Sequence, residues 1–213
     1  MIISYLGKQF FKLSFGDTVL AFNPISKDSK NPVKPSKFGA DIVLGTTNHP
    51  DYNGFEMTAH GETVPFIIDG PGDYEVKGIA IKGLLSESQV DGKYHVNTIY
   101  TLSFDSISIC FLGALTTEKI SVDSLESLGS PDILFVPIGG NGVLTPAAAA
   151  KFSLTLDPKL IIPMDYGDDM TSDALKIFLK EALLRCCKTS FLTGLLCLVI
   201  RQKKQTNITI TVA

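Results

Sequence analysis

The segment Asp41–Gly54, DIVLGTTNHPDYNG, constrains the fold more than any other part of this 213-residue chain. It opens with the apolar triplet Ile42-Val43-Leu44, breaks at Gly45, and continues as a polar loop punctuated by Pro50. An apolar run this short, bounded by a glycine, reads as a buried strand rather than a helix. The loop then carries Thr47, His49, Asp51 and Tyr52 just past the strand's C-terminal end. Polar loops delivered by the ends of buried strands are where α/β proteins keep their chemistry.

Period-2 patterning places short strands at Ile2–Leu6, Phe10–Phe15 and Thr18–Phe22, with a hairpin at Gly16-Asp17. Ser26–Phe38 reads as a polar loop, Phe66–Ile68 as a strand, and Tyr74–Ile81 as a strand with a bulge at Gly78. Leu84–His95 reads as a loop holding Ser86, Glu87 and Ser88, followed by a hairpin of Asn97–Phe104 and Ser106–Leu112. The period then lengthens. Val122–Leu128 reads as a helix ended by Gly129, and Asp132–Val136 as a buried strand. Thr145 is placed to cap a helix with Pro146 at its first position. Leu160–Ile162 is a further strand, and Ser172 or Asp173 caps a helix to about Leu184. Leu192–Arg201 and Ile208–Val212 are expected to close the chain as a strand pair. Strands dominating each half, with helices late in each, imply two mixed sheets packed face to face with helices outside. A single domain over residues 1–213 is the expected organisation.

Composition removes several classes of function. Hydrophobic residues make up 45% of the chain, enough for a substantial core. Yet no apolar run approaches the roughly 18 residues of a membrane span. The N-terminus lacks a signal peptide's pattern, so a cytoplasmic location is expected. Net charge is −3, and the densest basic cluster, Arg201–Lys204, reads as a solvated turn, so no nucleic-acid partner is expected. The four cysteines lack metal-type spacing; Cys110 and Cys197 lie in apolar runs, and Cys186-Cys187 read as free thiols. His60 and His95 read as surface histidines. Ser14, Ser88 and Ser103 have no His and Asp partners near them in sequence, and Gly139, Gly140 and Gly142 lack the Lys-Ser/Thr of a nucleotide loop.

Seven strings, in order, resemble the metallo-β-lactamase superfamily, in the branch that contains ascorbate-6-phosphate lactonase and zinc-dependent hydrolases. They are Tyr5–Gly7, Phe22–Pro24, Thr47–Gly54, Gly70–Glu75, Phe111–Gly113, Asp132–Ala150 and Asp157–Gly167. The resemblance implies an αββα sandwich of two mixed sheets with its site in the cleft at the sheet edges. It also implies which positions would hold zinc. The first ion's ligands fall at Thr47, His49 and near Ser88; the second's fall at Asp51, Tyr52 and Asp165. The bridging carboxylate falls at Ala114, an additional family histidine at Lys8, and the family's Asp-Pro aspartate at Asn23.

Most of these positions hold no normal zinc ligand, and metal sites weaken steeply as ligands and their supports are lost. Two readings follow. In the favoured one no cofactor is expected, and Lys8, Asn23, Thr47, Tyr52, Ser88 and Ala114 line a non-catalytic cleft that binds an unidentified small molecule or protein. In the alternative, His49, Asp51 and Asp165 hold a single divalent ion for a lactone or phosphoester hydrolase, with Asp51 as the candidate catalytic carboxylate. Lys8 is expected to pair with Asp51 or Asp165, charge against charge. The resemblance and the apolar content also lead to an expected homo-oligomer.

Overall fold

The structure, a computed structural model, describes residues 1–33, 36–62, 64–167, 173–186, 196–197 and 208–211. The Arg201–Lys204 turn, Ser172 as a cap, Cys187 and most of the Leu192–Arg201 strand lie outside the described residues.

The first sheet contains β1 (Ile2–Tyr5), β2 (Phe11–Phe15), β3 (Thr18–Phe22), β4 (Ile42–Leu44), β5 (Phe66–Ile68) and the chain's last described strand, β13 (Ile208–Thr211). Its order is β13-β1-β2-β3-β4-β5, antiparallel as far as β3 and parallel from β3 to β5. The second sheet contains β6 (Gly72–Val76), β7 (Ile79–Ser88), β8 (His95–Phe104), β9 (Ile107–Phe111), β10 (Ile133–Pro137), β11 (Leu160–Met164) and β12 (Leu196–Cys197). It runs β12-β11-β10-β9-β8-β7-β6, an antiparallel meander joined to a parallel half. The helices α1 (Val122–Leu128), α2 (Pro146–Thr155) and α3 (Asp173–Cys186) all follow β9.

Local chemistry explains most of these elements. Thr145 accepts a hydrogen bond from the Ala148 N–H at the start of α2, and Ser121 does the same for Ser124 in α1. Asp105 and Ser106 both take positive φ in the β8–β9 turn, the geometry that matches strand twist in a two-residue hairpin.

Four expectations need correction. Tyr74–Ile81 is not one bulged strand: Lys77 and Gly78, both at positive φ, form a turn between β6 and β7. Leu84–His95 is not a loop, because β7 continues to Ser88 and β8 begins at His95. The apolar alternation fails there because the buried positions of β7 shift by one after Gly83, from Ile79, Ile81 and Gly83 to Ser86 and Ser88, and the last two are polar. The last two strands do not pair: β12 lies beside β11, and β13 crosses to the other sheet to pair with β1. Nor do helices close each half. Among the described residues, the first half has only single 3-10 turns, at Phe55–Thr58 and Val90–Gly92.

The outer layers differ accordingly. A cluster including Leu134, Val136, Ala149, Phe152 and Phe178 seats α2 and α3 on the second sheet. On the first sheet, Val33, Phe38 and Phe55 pack over Phe10, Ala21 and Val43, so a loop and a 3-10 turn do the work of a helix. No helix among the described residues is long and apolar enough to cross a membrane.

Between the sheets, Phe11, Phe22, Phe111 and Phe135 are all fully buried in one core cluster. Phe22 stacks on Phe111 with centroids 4.5 Å apart, and Phe11 meets Phe135 edge-on at 4.8 Å. Such pairs add about 0.5–1.5 kcal/mol beyond the burial of their surfaces. The register aligns Tyr5 with Phe11, Phe11 with Phe22, and Phe22 with Leu44, so the C-terminal ends of β1, β3 and β4 share one edge. Tyr100 Oη donates to the Gly45 carbonyl, 3.0 Å away, and ties the second sheet to that edge. The aromatic seam is therefore the floor beneath the loops that leave these strands.

Candidate functional site

Each loop of the site leaves the C-terminal end of a strand. Lys8 follows β1, Asn23 follows β3, Thr47–Tyr52 follows β4, Ala114 follows β9, and Asp165 follows β11. Tyr52 Oη donates to Asp165 Oδ2 at 3.0 Å across 113 residues of chain. Lys8 Nζ lies 2.7 Å from Asp51 Oδ2 and 3.6 Å from Asp165 Oδ1, and 5.1 Å from the centre of the Tyr52 ring. Lys8, Asp51, Tyr52 and Asp165 therefore form one cluster.

The electrostatics follow from partial burial. Burial opposes the Lys8 charge, but the Asp165 charge and the Asp51 hydrogen bond outweigh it and raise its pKa above the ordinary lysine value. Burial would raise the Asp51 carboxyl, yet hydrogen bonds from Lys8 and Ser29 hold it below the usual carboxylate range. Tyr52 is pushed well above the normal phenol value, by burial first and by Asp165 second. It stays a proton donor.

Three residues of this edge, Lys8, Asn23 and Asp165, have positive φ without being glycine. Such backbone costs on the order of 1–3 kcal/mol per residue and persists where surroundings over-determine it. Here the surroundings are visible. The Asp165 N–H donates to the Lys8 carbonyl at 3.0 Å. Gln9 Nε2 donates to Asp165 Oδ2, Asn23 Nδ2 donates to Gln9 Oε1 and Thr46 Oγ1, and the Thr46 N–H donates to Asn23 Oδ1. Asn23 is fully buried behind the cluster, and its effect reaches Asp165 through Gln9.

The remaining candidates gather around Asn97. Its Oδ1 accepts from Thr47 Oγ1 and the Ala114 N–H, and its Nδ2 donates to Ser86 Oγ and the Leu112 carbonyl. A buried amide so fully satisfied clamps the Thr47 loop to the Ala114 loop. A side chain at Gly113 would put its Cβ 2.6 Å from both Asn97 Oδ1 and Thr46 Oγ1, so only glycine fits that approach. The Ala114 methyl packs with Tyr52, Val90 and Val143. Ser88 is fully buried opposite His95 in the β7–β8 register.

His49 is set apart from the carboxylate pair. Its Nδ1 accepts from the Asp51 N–H, and its Nε2 lies 3.1 Å from Asp91 Oδ2. His49 and Asp165 still stand on the same sheet edge, since the His49 ring lies 5.9 Å from the Tyr52 ring that bonds Asp165. The His95 ring stands 6.0 Å from that of His49, and its Nε2 is shielded from solvent, so His95 is not the surface histidine expected. Sequence reasoning also missed Gln9, Thr46, Asp91 and Asn97. Their proximity to Lys8, Thr47 and Ser88 in the chain was the available signal; Asn97's inward place on β8 was not.

Comparison with known proteins places this edge in context. Residues 2–165 match the model of the family described as "Beta-lactamase superfamily domain". A UPF0173 metal-dependent hydrolase of Thermococcus onnurineus is 24% identical over 189 residues, covering 78% of this chain and 84% of the relative. One from Thermococcus kodakarensis is 25% identical with the same coverage. Among solved structures, a candidate Zn-dependent hydrolase of the metallo-beta-lactamase superfamily from Thermotoga maritima superposes with a TM-score of 0.66. It is 27% identical, and 84% of each chain is covered. The names of these relatives overturn the expectation that no cofactor is involved, because they point to a metal. On the matched model and the shared fold, this chain belongs to the beta-lactamase superfamily and has the metallo-beta-lactamase fold.

Proposed function

We propose that this chain is a metal-dependent hydrolase of the lactone or phosphoester type that works with one divalent ion rather than two. The observation that carries the reading is the convergence of Lys8, Asp51, Tyr52 and Asp165 round a single ammonium, on the same edge as His49. The names of the relatives support it, and they displace the non-catalytic binding role that ligand loss alone favoured.

No three His, Cys, Asp or Glu side chains among the described residues converge as a ready ligand set, so the residues leave room for one ion at most. In the carboxylate half, the Lys8 ammonium already stands in for a cation between Asp51 and Asp165. A second ion there would meet that ammonium, and Ala114 offers only a methyl group where a bridging carboxylate would be needed. In the imidazole half, beside His49, the Ser88 Oγ and His95 Nε2 atoms are buried with no hydrogen-bond partner among the described residues. Orphaned buried polar atoms mark a place where something else binds.

When bound, the ion supplies a Lewis acid for the carbonyl or phosphoryl oxygen and a water of lowered pKa. The protein's own groups do the rest. Lys8 holds Asp51 and Asp165 together as ionised carboxylates, and its charge is matched by theirs. Asp51, held ionised by Lys8 and Ser29, acts as a charge holder more than as a base. Tyr52 and Gln9 both donate to Asp165 Oδ2 and so fix the face that Asp165 presents to Lys8.

The test is hydrolysis of a lactone series and of bis(p-nitrophenyl) phosphate by the full chain, before and after chelation. Activity that chelator removes and one equivalent of metal restores is expected. Hydrolysis indifferent to chelator, or none with any metal, overturns the proposal.

A further inference from the structure

We propose that the cavity beside the β7–β8 hairpin takes the apolar chain of a neutral lactone, which narrows the substrate class to lactones that carry an alkyl or acyl chain. The inference rests on the hydrolase reading above and deepens it.

The cavity arises where β6 ends. β6 flanks β7 only as far as Gly83, which pairs with Gly72, while β8 flanks it to Ser88. Past Gly83 the chain after β9 reaches β7 instead, through the Thr116 N–H donating to the Glu87 carbonyl at 3.3 Å. A loop held at one point fills less space than a paired strand. A cavity of about 610 Å³ is left between the hairpin and residues 115–124. Small-molecule sites span about 300–1,000 Å³.

Its lining combines an apolar body with a polar anchor. Leu85, Tyr94 and Val96 are 65%, 75% and 58% exposed, and all three line this cavity with Leu115 and Ile120. Apolar side chains scattered singly on a surface need no explanation, but gathered round one cavity they mark a binding site. Glu87 and Lys119 also line it, one charge of each sign. These charges offset, so they give a phosphoester anion no net attraction, and a neutral lactone is the better fit.

Ser86 and His95 form the wall that the cavity shares with the candidate site. Ser86 Oγ accepts from Asn97 Nδ2, and the Oδ1 of the same amide holds the Thr47 and Ala114 loops. The His95 ring stands 6.0 Å from that of His49, on the loop that carries Asp51. His95 Nε2 is shielded from solvent and has no hydrogen-bond partner among the described residues. A buried polar atom left in this way asks for a partner. A lactone offers only acceptors, so His95, as the Nε2–H tautomer, donates to its carbonyl oxygen. The apolar chain then lies in the cavity, and the lactone ring lies at the edge where His49 stands.

The full chain, stripped with chelator so that binding is read apart from hydrolysis, is titrated with the neutral fluorophore N-phenyl-1-naphthylamine. γ-Decalactone, which bears an alkyl chain, and γ-butyrolactone, which bears none, then compete with it. One probe per chain is expected, displaced by γ-decalactone and not by γ-butyrolactone. Leu85→Asp and Val96→Asp each place a carboxylate in the lining and should weaken the probe and γ-decalactone about tenfold or more. Both positions are exposed, so the fold is retained, as circular dichroism checks. Val64→Asp, at an exposed apolar residue outside the lining, should leave binding unchanged. Unaltered binding in both cavity variants, or none by the wild-type chain, overturns the inference even where lactones are hydrolysed, and the hydrolase reading then stands without it. Binding that follows the variants, with no lactone hydrolysed under any metal, overturns the hydrolase reading and leaves the cavity as a ligand site.

Discussion

The ammonium of Lys8 lies 2.7 Å from Asp51 Oδ2, with the two side chains only 16% and 13% exposed. The pair joins the loop after β1 to the loop after β4. Removing one partner of a buried pair leaves the other charge without a counterion, which costs more than the pair itself contributes. Lys8→Met should therefore destabilise the chain by about 2–3 kcal/mol at neutral pH, read as a fall in the urea midpoint. Added Mg2+ should recover part of that loss, because two carboxylates are then open to a cation. An unchanged midpoint would contradict this account.

Tyr52→Phe removes the hydroxyl that donates to Asp165 while keeping the ring against Ala114, Val90 and Val143. A loss of about 1–2 kcal/mol is expected, the range for a hydrogen bond to a charged group. The accompanying loss of hydrolysis should fall mainly on kcat, since the variant loosens Asp165 without emptying the cleft. A change confined to KM would point instead to Tyr52 as a substrate contact.

The pH dependence of stability has two limbs. Asp132 is held down to about 2 by the Lys159 ion pair first and by Ser108 next. A depressed carboxyl contributes stability above its unfolded value of about 3.8, and that contribution is lost as pH falls toward 2. Lys159 is 82% exposed, so solvent screens the pair and about 1 kcal/mol is the expected size. Asp132→Asn should flatten the acid limb of a denaturation series. Lys8, with its raised pKa, acts in the opposite direction. Its contribution is complete below the ordinary lysine value and is lost as pH rises through the folded one, so Lys8→Met should flatten the alkaline limb.

Phe22→Ala tests the floor of the site. The ring is fully buried and stacked on Phe111, and truncations of buried Phe cost about 3–5 kcal/mol. Asn23 follows Phe22 directly, so the cavity should also loosen the Asn23–Gln9–Asp165 chain. A methyl-bearing repair, Phe22→Leu, should recover more stability than activity. Equal recovery of both would separate the floor from the site.

The amino-acid sequence by itself determined the strands that end at the cleft. Ile42–Leu44 and Ile133–Val136 are apolar runs closed by glycine- or proline-bearing loops, and burial on both faces leaves such runs few other places. The pairing of Lys8 with the loop aspartates was legible only through the family resemblance, which put Lys8, Asp51 and Asp165 at one sheet edge. Tertiary structure decided what side-chain type could not express. Ser86, Ser88 and His95 broke the apolar alternation and looked like a loop, yet they are strand residues whose polar face lines the cleft. His95 and His49 are 46 positions apart in the chain, and their rings meet only because β8 begins across from Ser88, beside the β4 loop. Likewise, β13 left its sequence neighbour and paired with β1. Periodicity reports which face of a strand is buried, but it carries no information about which polar groups from distant strands share the space on that face.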